Sequence, residues 1–284
     1  MTAPIPIVTS IAAFAQSSQV WLVDVWGVVH NGVRPFLQAT AACEKFRREG
    51  GIVILVTNAP RPKESVGQQL DRIGVPRNSY DAIVTSGDTA RALIAALSGR
   101  RVFHLGPERD LALFDGSGAI LSDAGSAEAI VCTGLDDDET ETAASYAGLL
   151  RAARARNLEM VCANPDLTVE RGGRIIPCAG AVAHAYEAIG GRVAYAGKPY
   201  LPIYETAFAV AAGIAGRSIG TGHYLAIGDG LRTDILGAHN AGLRSVYIAS
   251  GVHAGAAGLD RTLLADLFPA GAPLPVAAMP ALAW

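Results

Sequence analysis

The sequence predicts an α/β protein in which a parallel β-sheet forms the core and a smaller α/β module is inserted into it. Short apolar runs that end in a polar residue alternate with helical patterns early in the chain and again after residue 190. Such runs are typical of parallel strands that helices cover on both faces. Half of the residues are hydrophobic and 17% are charged, which suits a buried sheet and argues against disorder.

The length of the chain favours two modules. At 284 residues it exceeds the size of most single compact domains, which is about 100–200 residues. We expect a catalytic core formed by residues 1–83 and 189–284 and an inserted module formed by residues 84–188. Gly87 and the Gly190-Gly191 pair are candidate hinges where the chain crosses between the modules.

The first elements form a βαβ unit. Residues 19–24 and 51–57 are apolar runs that end in Asp24 and Thr57, and both are predicted to be buried strands. A helical pattern at 36–49 lies between them and is closed by two glycines. A unit of this kind places its two strands side by side in a parallel sheet.

The same alternation returns in the last third of the chain and within the inserted module. For the core sheet we predict strands at 192–196, 224–227 and 244–249, with helices at 202–212 and 234–241. For the inserted module we predict strands at 102–105, 129–133 and 160–163. The simplest arrangement is a lid over one edge of the core sheet.

Composition and charge exclude several classes of protein. The formal net charge is −3 and no run of Lys or Arg occurs, so a nucleic-acid-binding surface is not expected. The first 23 residues carry no Lys or Arg, and the apolar C-terminal tail is broken by prolines, so neither an export signal nor a membrane span is predicted. The four scattered cysteines are expected to be reduced, buried thiols, which favours the cytoplasm.

Four polar residues follow the predicted core strands and carry the candidate chemistry. Asp24, Thr57, Lys198 and Asp229 each stand at or just after the carboxyl end of a strand. In open α/β sheets, ligands bind at that edge. We therefore expect the four side chains to contribute to one site.

Each motif by itself has a structural alternative. The segment DVWG, which begins at Asp24, also suits an Asp that caps a turn, and a Thr-Asn pair is an ordinary start of a helix. Lys198 in GKP could be a solvated loop lysine. The segment GDGLRTD is the strongest signal, because Asp229 and Asp234 flank a glycine turn with hard oxygen ligands that suit Mg²⁺.

Taken in order, DVWG, TN, GKP and GDGLRTD resemble the four motifs of phosphatases of the haloacid dehalogenase superfamily. The inserted module resembles the C2-type cap of subclass IIA. Its segments VCTGLD (131–136) and CANPD (162–166) resemble cap segments of the sugar-phosphate and nitrophenyl-phosphatase branch. The resemblance implies a three-layer Rossmann-like core with an inserted cap domain at 84–188. It also implies phosphoric monoester hydrolysis.

The resemblance further implies a role for each motif in catalysis. Asp24 would attack phosphorus and become an aspartyl phosphate, so that one difficult displacement is divided into two. Thr57 and Asn58 would bind the phosphoryl oxygens. Lys198 would offset the negative charge of Asp24 and of the transferring group.

A magnesium site is implied by the same motifs. Asp24 and Asp229 would hold Mg²⁺ together with the backbone carbonyl of Trp26. Asp234 would bind the ion directly or through its neighbours. The implied partner is a small phosphate ester, and a homodimer is possible because caps of this size often carry a dimer contact in similar proteins.

Trp26 departs from the family pattern. The phosphatases that the chain resembles usually carry a second aspartate two positions after the nucleophile, where it acts as general acid and base. General acid–base help is typically worth about 10²–10⁴ in rate, so a slow enzyme or one that depends on a good leaving group is implied. His30 is a candidate replacement, although a single His is more often a packing residue.

Two other functions stay open at this stage. The true dehalogenases of the superfamily also carry an aromatic residue at the position of Trp26, but they need no Mg²⁺ and have little use for the pair Asp229 and Asp234. The other alternative is a catalytically weak protein that binds phosphate esters. The sequence leaves the physiological substrate undetermined.

Overall fold

The structure is a computed structural model that describes residues 5–171, 174–249 and 259–284. The chain divides into two compact units. The core unit comprises Met1–Thr57, Glu64–Val84 and Lys198–Trp284, and the inserted unit comprises Asn58–Lys63 and Thr85–Gly197. Residues 1–4, 172–173 and 250–258, which belong to the two predicted modules, lie outside the described residues.

A six-stranded sheet forms the centre of the core unit. Its strands follow the order β13-β12-β11-β1-β2-β3, and β1 pairs in parallel with both β2 and β11. Parallel pairing also joins β11 to β12 and β12 to β13. The bounds are β1 Val20–Asp24, β2 Ile52–Thr57, β3 Ala82–Thr85, β11 Tyr224–Gly228, β12 Arg244–Ile248 and β13 Ala277–Met279.

Helices cover both faces of this sheet. Alternate residues of a strand point to opposite faces, and Val20 and Leu22 pack with Ile203 and Ala207 of α7 (Leu201–Ala215). On the other face Trp21 stacks on Phe46 of α2, with ring centroids 4.0 Å apart. The predicted three-layer core is therefore present. The remaining core helices are α1 Ala12–Ala15, α2 Leu37–Arg48, α3 Lys63–Ile73, α8 Leu236–Asn240 and α9 Arg261–Leu267.

The inserted unit has a parallel sheet of its own, with strands in the order β10-β7-β6-β4-β5. Within this sheet β4 is the first strand in chain order. The next strand, β5, pairs with one edge of β4, and β6 pairs with the other edge. The strands are β4 Arg101–Leu105, β5 Ile120–Leu121, β6 Ala129–Cys132, β7 Glu159–Cys162 and β10 Arg192–Tyr195, and the helices are α4 Ser86–Ala95, α5 Ala147–Ala155 and α6 Ala179–Ala188. A two-stranded antiparallel hairpin adds β8 Thr168–Arg171 and β9 Arg174–Pro177.

The two faces of the inserted sheet bury separate hydrophobic clusters. Ile130 and Met160 pack against Val182 and Tyr186 of α6. Val131 and Val161 face the opposite way and pack with residues of α4. Because both clusters lie within the inserted unit, this unit has a core of its own.

One predicted strand belongs to the other sheet. Residues 192–196 were expected in the core sheet, but β10 pairs with β7 in the sheet of the inserted unit. Short strands with apolar residues occur in both sheets, so the sequence pattern does not specify which sheet a strand joins.

Among the described residues, no helix combines the length and the apolar character that crossing a membrane requires. All four cysteines are buried and carry free thiols, as the sequence predicts.

Candidate active site

Three of the predicted functional residues meet at the carboxyl edge of the core sheet. Asp24 is the last residue of β1, Thr57 is the last residue of β2, and Asp229 follows β11 directly. These strands are adjacent and parallel, with Asp24 opposite Val56 in the register of β1 and β2. The pairing therefore brings the three residues to one edge of the sheet, as the sequence predicts.

Lys198 joins this group from the segment that precedes α7. Its ammonium Nζ lies 2.5 Å from Asp24 Oδ1 and 2.7 Å from Asp234 Oδ1, and it donates to the carbonyl of Val56 at 3.2 Å. The side chains of Lys198, Asp24 and Asp234 are all buried. Two buried carboxylates are thus neutralised in part by one buried cation.

The three carboxylates of the site can carry more negative charge than the single positive charge of Lys198 neutralises. Asp24, Asp229 and Asp234 each place an oxygen within 4.8 Å of the others. Burial and the charge of Asp234 raise the pKa of Asp24 well above its ordinary value, although Lys198 opposes the shift. Burial and Asp234 likewise raise the pKa of Asp229 to about 7. The cluster therefore favours an added positive charge.

The pKa of Lys198 shifts upward, so its charge is retained. Burial acts to lower that pKa, but the neighbouring carboxylates of Asp234 and Asp24 outweigh burial and raise it. The lysine is consequently a fixed cation at neutral pH.

Asp234 uses both of its oxygens within the core unit. Oδ1 accepts from Lys198, whereas Oδ2 accepts from the backbone N–H of Gly230 at 3.0 Å and from the hydroxyl of Thr233 at 3.3 Å. These bonds fix the turn that follows β11 and hold Lys198 in place. This pattern is typical of a carboxylate that supports a metal site from behind its direct ligands.

Glycine at position 27 permits the close approach of two motifs. Gly27 has φ +79°, and a Cβ at this position would lie 1.9 Å from Oδ2 of Asp229. Any other residue would displace the carboxylate. The sequence pattern does not reveal this contact, because it joins positions that are far apart in the chain.

The structure places Thr57 and Asn58 in different units. Thr57 is buried at the end of β2 in the core unit. Asn58 belongs to the inserted unit, where its side-chain amide donates to Asp166 Oδ1 at 2.8 Å. Asp166 is the last residue of the CANPD segment, so this bond gives the segment a structural role that the sequence pattern does not reveal.

Trp26 and His30 lie together in the turn that follows β1. The Trp26 side chain is 47% exposed, and its ring meets the buried His30 edge to face with centroids 5.0 Å apart. His30 Nδ1 accepts a hydrogen bond from the backbone N–H of Gly32 at 2.8 Å. Burial lowers the pKa of His30 to about 4, so the ring is neutral at pH 7.

Tyr204 is a buried neighbour of the site that the sequence did not identify. It lies on α7, and burial together with the charge of Asp234 raises its pKa far above the ordinary value. The Tyr204 hydroxyl packs closely against Gly237, because a Cβ built on this glycine would lie 2.3 Å from the hydroxyl oxygen. The helix thus seats a neutral phenol beside the ionic cluster.

The geometry supports nucleophilic chemistry aided by a cation. A divalent ion fits the cluster, because its three carboxylates are hard oxygen donors and their mutual repulsion would fall when the ion binds. Asp24 is held by Lys198 at the sheet edge. Buried carboxylate and ammonium groups in this arrangement suit transfer of an anionic group.

Two family models match the chain. Residues 21–120 match a family described as haloacid dehalogenase-like hydrolase, and residues 195–267 match one described as HAD-hydrolase-like. These segments contain all four candidate motifs.

Individual relatives give the same result. A hydrolase of the haloacid dehalogenase-like family from Brucella suis is 48% identical to this chain and superposes on it with a TM-score of 0.80. The aligned region covers 87% of this chain and 94% of the Brucella protein. A glycerol phosphate phosphatase from Mycobacterium tuberculosis, solved with magnesium, is 26% identical and superposes with a TM-score of 0.69. The aligned region covers 95% of this chain and 77% of the phosphatase. The 5′-nucleotidase YutF of Bacillus subtilis is 24% identical over 82% of this chain and 87% of its own.

Proposed function

Because this chain belongs to the haloacid dehalogenase-like hydrolases, we propose that it is a magnesium-dependent phosphoric monoester hydrolase that acts on a small phosphorylated metabolite. The observation that carries the proposal is the contact of Lys198 with both Asp24 and Asp234, next to the third carboxylate, Asp229. This arrangement combines a nucleophile, a fixed cation and a set of oxygen ligands at one edge of a parallel sheet.

In the first step a carboxylate oxygen of Asp24 forms a bond to phosphorus, and the bond from phosphorus to the ester oxygen breaks. The leaving oxygen takes the electron pair and then a proton from water to give the alcohol, and an aspartyl phosphate is formed. Lys198, at 2.5 Å from Asp24, holds the nucleophile in position and balances charge on the phosphoryl group. We assign Thr57, which stands at the end of β2, to the binding of a phosphoryl oxygen.

In the second step the oxygen of a water molecule bonds to phosphorus, the bond from phosphorus to the Asp24 oxygen breaks, and the water gives up a proton to solvent. Inorganic phosphate is released and the Asp24 carboxylate is regenerated. Asn58 is assigned to phosphate binding through the backbone that follows β2. We assign Mg²⁺ to Asp24, Asp229 and the backbone carbonyl of Trp26, with Asp234 as support. The ion would supply positive charge to the phosphoryl oxygens.

The role of Trp26 makes the proposed reaction depend on the leaving group. Position 26 offers no proton to the departing oxygen, and His30 is neutral and already accepts a hydrogen bond through Nδ1. Esters whose leaving groups depart as stable anions are therefore expected to react fastest.

The alternatives drawn from the sequence make different predictions for the same assay. A dehalogenase-like hydrolase would act without Mg²⁺ and would have no need of three clustered carboxylates. A phosphate-ester-binding protein would bind esters with Mg²⁺ and turn none over. Turnover of aryl, acyl and sugar phosphates with and without Mg²⁺ separates these from the proposed phosphatase.

The metal assignment predicts that Asp229→Asn loses Mg²⁺ affinity. The substitution keeps the size of the side chain but removes the charge that a hard cation requires. Titration calorimetry should show affinity reduced at least tenfold, together with loss of phosphatase activity. Asp166→Asn, in the inserted unit, is the matched control and should keep Mg²⁺ affinity. Unchanged affinity in Asp229→Asn would refute the assignment.

A further inference from the structure

We propose, on the basis of the phosphatase function above, that the indole of Trp26 is a stacking surface for an aromatic leaving group, so that the preferred substrates are aryl or heteroaryl phosphates. Trp26 is thereby a specificity-determining residue. Three observations on the turn after β1 support this assignment.

The first observation is the exposure of the indole in the turn that follows the buried nucleophile. Trp26 stands two residues after Asp24, and its side chain is 47% exposed. Its neighbours Val25 and Val28 are almost fully buried, with exposures of 1% each. Hydrophobic burial therefore accounts for the surrounding valines, but not for the large apolar surface that the tryptophan leaves open.

The second observation is that the ring is held in place. Trp26 forms a backbone bridge with His30, and the N–H of Gly27 donates to the carbonyl of His30 at 2.9 Å. The indole also lies against Gly32, where a Cβ would approach ring carbon Cη2 within 2.5 Å. With the edge-to-face contact to His30, these interactions fix one side of the ring. A preorganised aromatic surface loses little conformational entropy when a ligand stacks on it.

The third observation is the absence of a general acid side chain at position 26. In the proposed transfer, the bond between phosphorus and the ester oxygen breaks and the leaving group takes the electron pair. A phenolate holds that charge by delocalising it into the ring, and it later takes a proton from water. An alkoxide has no such stabilisation and needs a positioned acid.

Stacking on the exposed indole and departure of the leaving group without an acid together favour one class of substrate. Acyl phosphates also carry a good leaving group, but an acyl group such as acetyl offers no ring to the exposed indole. Aryl phosphates satisfy both conditions, because their ring stacks on tryptophan and their oxygen departs without help. Stacking of a planar ring on an aromatic side chain is worth about 1–3 kcal/mol, or roughly 5- to 150-fold in affinity.

The test compares two esters whose leaving groups have similar acidity but different shape. Phenyl phosphate carries a ring, whereas a hexafluoroisopropyl phosphate carries an acidic alcohol without one. For the wild-type protein with Mg²⁺ we expect kcat/KM to favour the phenyl ester. In Trp26→Leu the ratio of the two values should fall about tenfold, and Trp26→Phe should keep most of it. Because the readout is a ratio, a change at the metal site that affects both esters equally cancels.

Val33→Ala is the matched control. Val33 is 82% exposed in the same turn, and its substitution should leave the ratio unchanged. An equal loss for both esters in Trp26→Leu, or a wild-type ratio near one, would overturn the stacking proposal while leaving the phosphatase function in place.

Binding of non-hydrolysable phosphonates decides the proposal without turnover. With Mg²⁺ present, calorimetry should show phenylphosphonate binding more tightly than methylphosphonate in the wild-type protein, and about equally in Trp26→Leu. If no ester is hydrolysed, the proposed phosphatase function fails, and this pair still reports on stacking. Equal affinities in the wild-type protein would contradict the stacking surface.

Discussion

Two fully buried tyrosines differ in what their hydroxyl groups contact. Tyr186 donates to the carbonyl of Leu158 at 2.7 Å, whereas the hydroxyl of Tyr247 has no hydrogen-bond partner among residues 5–171, 174–249 and 259–284. Tyr186→Phe should lower the free energy of unfolding by about 1–3 kcal/mol, because a buried carbonyl loses its donor. Tyr247→Phe should leave it unchanged or raise it by about 1 kcal/mol.

Chemical denaturation can follow the two variants separately. The three tryptophans, Trp21, Trp26 and Trp284, all lie in the core unit with Tyr247, so their fluorescence reports on that unit. Circular dichroism adds the helices around Tyr186. A loss of stability in Tyr247→Phe as large as that in Tyr186→Phe would contradict the prediction.

Burial of the His30 ring should make the free energy of unfolding depend on pH. Its folded pKa of about 4 lies below the ordinary value of 6.5, so the unfolded chain takes up a proton between these values that the folded chain does not. The contribution of neutral His30 is complete above pH 6.5 and is lost as the pH falls towards 4. His30→Asn keeps an acceptor for the N–H of Gly32 and removes the titration. Its urea midpoint should fall less between pH 7 and pH 5 than that of the wild-type protein. Parallel decreases would refute the prediction.

The strand-end residues could be predicted from the sequence because their position depends on local pattern. Asp24, Thr57 and Asp229 each follow an apolar run, and parallel pairing brings such positions together. The contact between Gly27 and Asp229 could not be predicted, since it depends on how closely two distant turns approach. The two-sided hydrogen bonding of Asp234 also depends on tertiary geometry. Whether these residues act as assigned stays a prediction.

At the scale of elements, the turn after β1 depends on Gly27. Gly27→Ala would place a methyl group against Asp229 at a positive φ, so we expect Mg²⁺ affinity to fall at least tenfold. Gly50→Ala is the matched control, because Gly50 has φ +91° and open space around its Cβ position. It should cost about 1–2 kcal/mol of stability from backbone strain and leave Mg²⁺ affinity unchanged. Equal Mg²⁺ affinity in the two variants would refute the steric argument.

Strands were predicted where long apolar runs mark them and missed where burial depends on distant partners. The central strands β1, β2, β11 and β12 lie within a residue or two of their predicted bounds. The edge strand β13 was missed because prolines surround it, and it is recognised only through its pairing with β12. The strand β10 was predicted but assigned to the wrong sheet, because its partner β7 lies about 30 residues earlier in the chain.

At the scale of the whole molecule, the resemblance drawn from four short motifs is confirmed, and so is the α/β fold that it implied. The predicted role of the inserted unit as a lid stays a prediction. The chain crosses between the units at Thr57/Asn58, Lys63/Glu64, Val84/Thr85 and Gly197/Lys198.

We expect Mg²⁺ together with phenylphosphonate to slow limited proteolysis near these crossings, because ligand binding should favour a closed state that excludes water. Mass spectrometry of the fragments would locate the cuts. Asp229→Asn is the control and should show no response to the same ligands. An identical fragment pattern with and without ligands in the wild-type protein would contradict the moving lid.

The two ends of the longer segment of the inserted unit lie beside each other. A Cβ on Gly197 would approach Ser86 Oγ within 2.8 Å, although more than 100 residues separate these positions along the chain. Because the entropic cost of closing a loop grows slowly with its length, a segment whose ends already lie together can change in length at little cost in stability. Gene duplication and recombination could therefore exchange this segment for another of different size without moving the strands that it interrupts. In evolutionary terms, such a segment can change in length and sequence while the strands of the core sheet are inherited unchanged.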